Sequence, residues 1–274
     1  MVRRLTSNVT QAFAKASRQH RAALVGYLPA GFPSVTVAIE AAKAMAEHGA
    51  DVIELGLPYS DPLIDGPVIA EAVHRALTTG TRIKDVLRTV EALAEAGVPT
   101  LVMTYWNPVD RYGVRNFARD LRQAGGSGLI TPDLTPDEAQ PWLEASDEHG
   151  LDRVFLTAPS STDERVAMIA RACRGFVYAA SLMGVTGIRD AVSGDAPALV
   201  KRIRQHTELP VGVGLGVSNA AQAAQVASFA DGVIVGTAFV RRLLDAADAG
   251  DPAAGVKAVS DLAAELAQAA RDTR

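Results

Sequence analysis

Eight short apolar runs recur along the chain, none with strict polar alternation. They are AALVGYL (22–28), DVIELGL (51–57), PTLVMTY (99–105), SGLITP (127–132), RVFLTAP (153–159), GFVYAAS (175–181), PVGVGLG (210–216) and DGVIVGT (231–237). Strands buried on both faces of a parallel sheet read this way. Between them the apolar period lengthens to that of helices. SVTVAIEAAKAMAEHG (34–49) gathers Val37, Ile39, Ala42 and Met45 near one face and stops at Gly49. IKDVLRTVEALAEAG (83–97) repeats the design with Val86, Val90 and Leu93 before Gly97. TPDEAQPWLEASDEHG (135–150) opens on a threonine and an acidic turn, which predicts a helix from that point. DAPALVKRIRQHT (195–207), NAAQAAQVASFA (219–230) and the alanine-rich stretch 251–274 follow the same logic. Alternating strands and helices predict an α/β fold with parallel strands, and eight strands close a barrel. LTSNVTQAFAKASRQH (5–20) predicts an extra helix capping its bottom. No interdomain linker interrupts the pattern, so residues 1–274 are expected to form a single (β/α)8 TIM-barrel domain.

Composition narrows the possibilities. Hydrophobic residues make up 48% of the chain, enough for a large core, and the formal net charge of -4 offers no basic surface for nucleic acid or anionic lipid. The single cysteine, Cys173, excludes an internal disulfide and reads as a helix-end residue in preference to a reactive thiol. Two N-terminal arginines have no apolar run behind them, unlike a secretory signal. No run reaches the about 18 apolar residues of a membrane span. The expectation is a soluble, cytoplasmic protein.

Barrel chemistry sits where strands end and the loops to the helices begin. The stretch IELGLPYSDPLIDGP (53–67) places Glu54, Asp61 and Asp65 among apolar and turn residues. Glu54 lies between Ile53 and Leu55, and desolvation there raises a carboxyl pKa toward neutrality. Asp65-Gly66-Pro67 also reads as the start of a helix, and Asp61 before Pro62 reads equally as a turn former. The last loops suggest a phosphate site, because glycines and a helix N-terminus present backbone N–H groups to an anion. Gly216, Gly236 and Thr237 are the candidates, with Gly187 from the loop after strand six. The five histidines fall in helical segments with no metal-ligand spacing, so no metal is expected. No lysine ends a strand, and no dinucleotide-binding glycine motif follows the first one.

These residues carry a resemblance. IELGLPYSDPLIDGP resembles the signature loop of the tryptophan synthase alpha subunit family. LVGYLPAGFPS, MTYWNPVDRYG, LTAPSST, GVTG, GVGLGVSN and DGVIVGTAFV extend the similarity, in order, over essentially the whole chain. The resemblance implies a lyase that cleaves indole-3-glycerol phosphate to indole and glyceraldehyde 3-phosphate. It implies Glu54 as general acid/base and Asp65 as acceptor of the indole N–H. Tyr178 and Leu215 would line the pocket, Thr186 would lie in a lid over Asp65, and the four phosphate candidates would hold the substrate's tail. It implies a pyridoxal-phosphate-bearing beta subunit as partner in an α2β2 assembly, with no cofactor in this chain. Asp61, Pro58, Tyr105 and Asn107 would then lie toward the partner. The chain departs from the commoner family pattern at Phe32, at Leu182-Met183 and at Leu215. The glycine- and polar-rich stretch 181–195 is expected to order on ligand binding.

Fold alone does not fix function. A phosphosugar isomerase or epimerase on the same barrel and an inactive regulatory module are the competing readings. Binding of indole-3-propanol phosphate and retention of lyase activity discriminate them.

Overall fold

The computed structural model describes residues 7–180, 195–214 and 216–271. Eight parallel strands close a barrel in sequence order: β1 (Ala23–Pro29), β2 (Val52–Gly56), β3 (Thr100–Met103), β4 (Gly128–Thr131), β5 (Asp152–Thr157), β6 (Val177–Ala180), β7 (Val211–Gly214) and β8 (Gly232–Val235). The ring is sealed by β8 pairing with β1, where Val25 lies opposite Ile234. Each apolar run of the sequence overlaps one strand, with β1 running one residue past its run and β5 starting one residue before.

The described helices are α1 (Asn8–Arg18), α2 (Val35–Glu47), α3 (Pro67–Thr78), α4 (Ile83–Glu95), α5 (Trp106–Tyr112), α6 (Val114–Gln123), α7 (Gln140–His149), α8 (Asp163–Ala172), α9 (Asp195–Arg204), α10 (Ala220–Ala227), α11 (Thr237–Asp248) and α12 (Pro252–Ala269). Two expectations need correction. Helix α7 begins at Gln140, five residues after Thr135, with proline in its first turn. Pro141 has no N–H to give and fits only there; a helix begun at Thr135 would bury it in the second turn. The buried face of α2 is Ala38, Ala41, Ala42 and Met45, while Val37 and Ile39 are half-buried. Small alanines let α2 approach α12 and β1, and the Met45 methyl occupies the space that a Cβ on Gly26 would need. Helices α5 and α6 were not expected from the apolar pattern, and α8 was marked only by the helix-end reading of Cys173.

Strand alternation divides the core into two layers. Outward residues such as Ile53, Leu55 and Val102 pack under the helices. Inward residues Val25, Val52, Leu101, Ile130, Val154, Phe176 and Ile234 fill the barrel. The predicted extra helix is α1, and its Val9, Phe13 and Ala16 join this inner layer from below. The Phe13 ring lies 5.2 Å from Phe176, which lies 6.2 Å from Tyr178. Gly232 makes room for Phe13, since a Cβ there would stand 2.7 Å from its ring. At the strand starts, Arg21 forks onto Asp51 with contacts of 2.6 and 2.7 Å, stapling the entries of β1 and β2.

Candidate functional site

The inward phase of β2 carries Glu54 into the barrel, level with Tyr27 on β1 and Leu101 on β3. Its side chain is 1% exposed, and Oε2 has no hydrogen-bond partner among the described residues. Burial, helped by the nearby charge of Asp65, pushes its pKa up to about 8. At neutral pH Glu54 therefore holds its proton. Asp65 reaches the same space from loop two, just before the α3 cap at Gly66. Burial raises its pKa, opposed by a hydrogen bond from the Tyr105 hydroxyl at 3.1 Å.

Phenols surround this pair. Burial and the charges of Asp65 and Glu54 raise the pKa of Tyr27, and burial and Glu54 raise that of Tyr178, so both stay neutral. Two glycines accommodate them: a Cβ on Gly56 would collide with the Tyr27 hydroxyl, and one on Gly214 with that of Tyr178. Tyr27 was missed from sequence, where a tyrosine in an apolar strand reads as core; its register opposite Glu54 is the signal that places it.

The phosphate candidates separate. Helix α10, after β7, is closed by its own Asn219, which accepts from Gln222 N at 3.0 Å. Helix α11, after β8, starts at Gly236 with no side-chain cap. Its N-terminus is therefore left without a side-chain cap, an arrangement that can accept an anion. Gly236 adjoins the acid pair's neighbourhood, since a Cβ on it would lie 3.4 Å from Tyr27. Thr237, the first helical residue, is exposed, as is Gly216, which has φ of 71°. Thr186, Gly187 and Leu215, with the stretch 181–194 including Leu182-Met183, lie outside the described residues.

The residues expected toward a partner fall into two groups. Asp61 and Asn107 are exposed: Asp61 accepts from Ser60 Oγ at 2.6 Å, and Asn107 donates to the Tyr59 hydroxyl at 3.1 Å. Pro58 and Tyr105 are buried within the chain. The exposed apolar residues of loop two, unmarked in the sequence, are Leu63 and Ile64, at 78% and 52% exposure.

Cys173 is buried at the end of α8 and bonded to Phe155, and burial pushes its thiol up to about 12, which makes it inert. A cavity of about 700 Å³ opens at the opposite end of the barrel, lined by Lys15, Arg18, Lys43 and Pro99 among others, remote from the carboxyl pair. No described helix is long and apolar enough to cross a membrane.

A dry acid that keeps its proton at neutral pH can protonate a carbon or oxygen and then take a proton back. Near an uncapped helix N-terminus, such a group on a closed parallel barrel is the arrangement of an acid–base enzyme. The comparisons identify the family. The family model for the tryptophan synthase alpha chain matches residues 13–271. The tryptophan synthase alpha chain of Thermobifida fusca is 61% identical over 261 residues, covering 94% of this chain and 96% of the relative. That of Acidothermus cellulolyticus is 59% identical over 256 residues, covering 93% and 96%. Among solved structures, Mycobacterium tuberculosis tryptophan synthase superposes with a TM-score of 0.90 at 55% identity, covering 97% of this chain and 99% of the other. The alpha subunit from Legionella pneumophila gives 0.88 at 32% identity, with the same coverage. The chain belongs to the tryptophan synthase alpha chain family, and it is a lyase of tryptophan biosynthesis.

Proposed function

We propose that Glu54 and Asp65 carry the cleavage of indole-3-glycerol phosphate to indole and glyceraldehyde 3-phosphate. Glu54, protonated at rest, gives its proton to ring carbon C3. The bond from C3 to the carbinol carbon then breaks, and its electron pair restores the aromatic ring. The Glu54 carboxylate takes the carbinol hydroxyl's proton as that oxygen becomes the aldehyde carbonyl, so the acid is regenerated. Asp65, as an anion, accepts the ring N–H and stabilises the positive charge of the protonated ring. Tyr178 borders the ring, and Leu215 and Thr186 are assigned to the same pocket by the family resemblance alone. The N-terminus of α11 at Gly236 and Thr237, with Gly216, anchors the phosphate at a distance from the bond that breaks, and Gly187 is assigned there by the family resemblance alone. The observation that carries this reading is the buried Glu54, whose Oε2 has no hydrogen-bond partner among the described residues and whose pKa is pushed up to about 8 beside a second carboxyl.

The test is indole release from indole-3-glycerol phosphate by the purified chain, alone and with the beta subunit. The rate is expected to fall as pH rises through about 8, where Glu54 loses its proton. A chain that releases no indole under either condition would remove the assignment. This chemistry asks for no cofactor here; pyridoxal phosphate belongs to the beta subunit, with which the chain forms an α2β2 complex in the cytoplasm and to which it passes indole.

Leu63 and Ile64, with Asp61 and Asn107 nearby, form the face toward that subunit. Two adjacent exposed apolar side chains on a charged surface mark a contact. Leu63→Asp is expected to raise the beta-subunit concentration for half-maximal stimulation about tenfold, the effect of one moderate contact residue. Titration of indole release against beta subunit measures it.

A further inference from the structure

We propose that Tyr105 is a positioning residue for the carbon–carbon cleavage: its hydroxyl holds loop two by two backbone N–H groups and directs its own proton onto Asp65. The inference rests on the function proposed above and deepens it.

A phenolic hydroxyl offers one donor and two acceptor sites. Leu63 N and Ile64 N each donate to the Tyr105 oxygen at 3.0 Å, which fills both acceptor sites. The one proton left points to Asp65 Oδ1 at 3.1 Å. The sense of that bond is thereby fixed: Asp65 accepts and Tyr105 gives. A donor of fixed sense favours the carboxylate over the acid.

The phenol is itself held from several sides. It is 6% exposed, and its ring lies 5.5 Å from that of Tyr59. It forms the cap of α5, whose first N–H, on Trp106, is gripped by both Asp133 oxygens at 2.9 and 3.0 Å. Loop two therefore hangs from a rigid post beyond β3. The groups facing Asp65 are Tyr27 from β1, Glu54 from β2 and Tyr105. Burial favours the neutral acid at Asp65, and Tyr105 favours the anion. The proposed reaction needs the two carboxyls in opposite states, one protonated to attack C3 and one charged to receive the ring N–H. Tyr105 is the side chain that separates them.

The decisive variants are Tyr105→Phe, which removes one atom, and 3-fluorotyrosine at position 105, which keeps the shape and strengthens the donor. Indole release is followed against pH and substrate concentration in the full chain. For Tyr105→Phe, kcat is expected to fall about tenfold or more, the loss of a charge-assisted hydrogen bond. KM should change by less than about threefold, because the phosphate anchor is untouched. The acid limb of the kcat profile, where Asp65 takes up a proton, should move to higher pH. The fluorinated phenol should move it to lower pH. An acid limb unmoved by either change, or a loss confined to KM, overturns the proposal. If Tyr105→Phe fails to fold, the fluorotyrosine profile decides alone. Absence of indole release from the unaltered chain would instead remove the functional reading beneath it.

Discussion

Glu54→Gln is expected to abolish nearly all indole release while making the protein harder to unfold. The catalytic half follows from chemistry. Glutamine matches the size of glutamate but neither gives nor takes a proton in this range, so loss of the acid/base lowers kcat by about 10³-fold. Binding of indole-3-propanol phosphate should persist, because the phosphate site proposed at α11 is unchanged. The stability half follows from linkage. Glu54 holds its proton to about 8 in the fold, against a reference value of 4.5. Between those values the unfolded chain releases a proton that the folded chain keeps, so the parent loses stability as pH rises. Glutamine has no such proton to lose. The variant's advantage should be small at pH 5 and reach about 3 kcal/mol by pH 8, an order of magnitude set by the size of the shift. Thermal unfolding of parent and variant at the two pH values, beside an indole assay, measures both. A variant with parental activity, or one less stable at pH 8 than at pH 5 relative to the parent, contradicts a dry, protonated Glu54.

Arg21→Ala is expected to be the most destabilising simple change at the far end of the barrel. Arg21 and Asp51 are 5% and 8% exposed, and the guanidinium engages both carboxylate oxygens. It also donates to Gln19 and to the Ala22 carbonyl. Alanine would strand a buried carboxylate whose only other described contact is Leu24 N at 2.9 Å. Breaking one side of such a pair costs about 3–5 kcal/mol, equivalent to about 10 °C in Tm for a chain of this size. Activity at 25 °C should survive, since the pair sits beneath the barrel floor. Adding Asp51→Leu to Arg21→Met should recover much of the loss, because no charge is then left alone. If Arg21→Ala melts with the parent, the pair is solvated in solution.

The strands were legible because most are buried on both faces, which leaves a nearly unbroken apolar run, β5 and β6 having half-buried positions. Glu54 stood out for the same reason, as an acid where the pattern admits none. Helix α6 was not, since Phe117, Ala118 and Leu121 are its only buried residues among charged neighbours. The start of α7 was misplaced because an acidic turn resembles a helix entry, and the proline at position 141 carries the stronger constraint. The site's tyrosines were harder. Tyr27 becomes informative only through strand register, and the Tyr105 hydroxyl only through contacts 40 to 42 residues away in sequence. Leu63 and Ile64 are of the same residue types as core Leu55 and Ile53; their exposure is a property of the folded loop.

Phe13 and its neighbours on α1 make the barrel a blind well. Among the described residues the floor is packed, so the uncharged product of the proposed cleavage has no downward escape. The rim it must cross carries the two bare apolar side chains of loop two. A docked protein there would meet the departing ring before bulk solvent does, so handing over the product requires no moving pump, only a stopper below and a neighbour above.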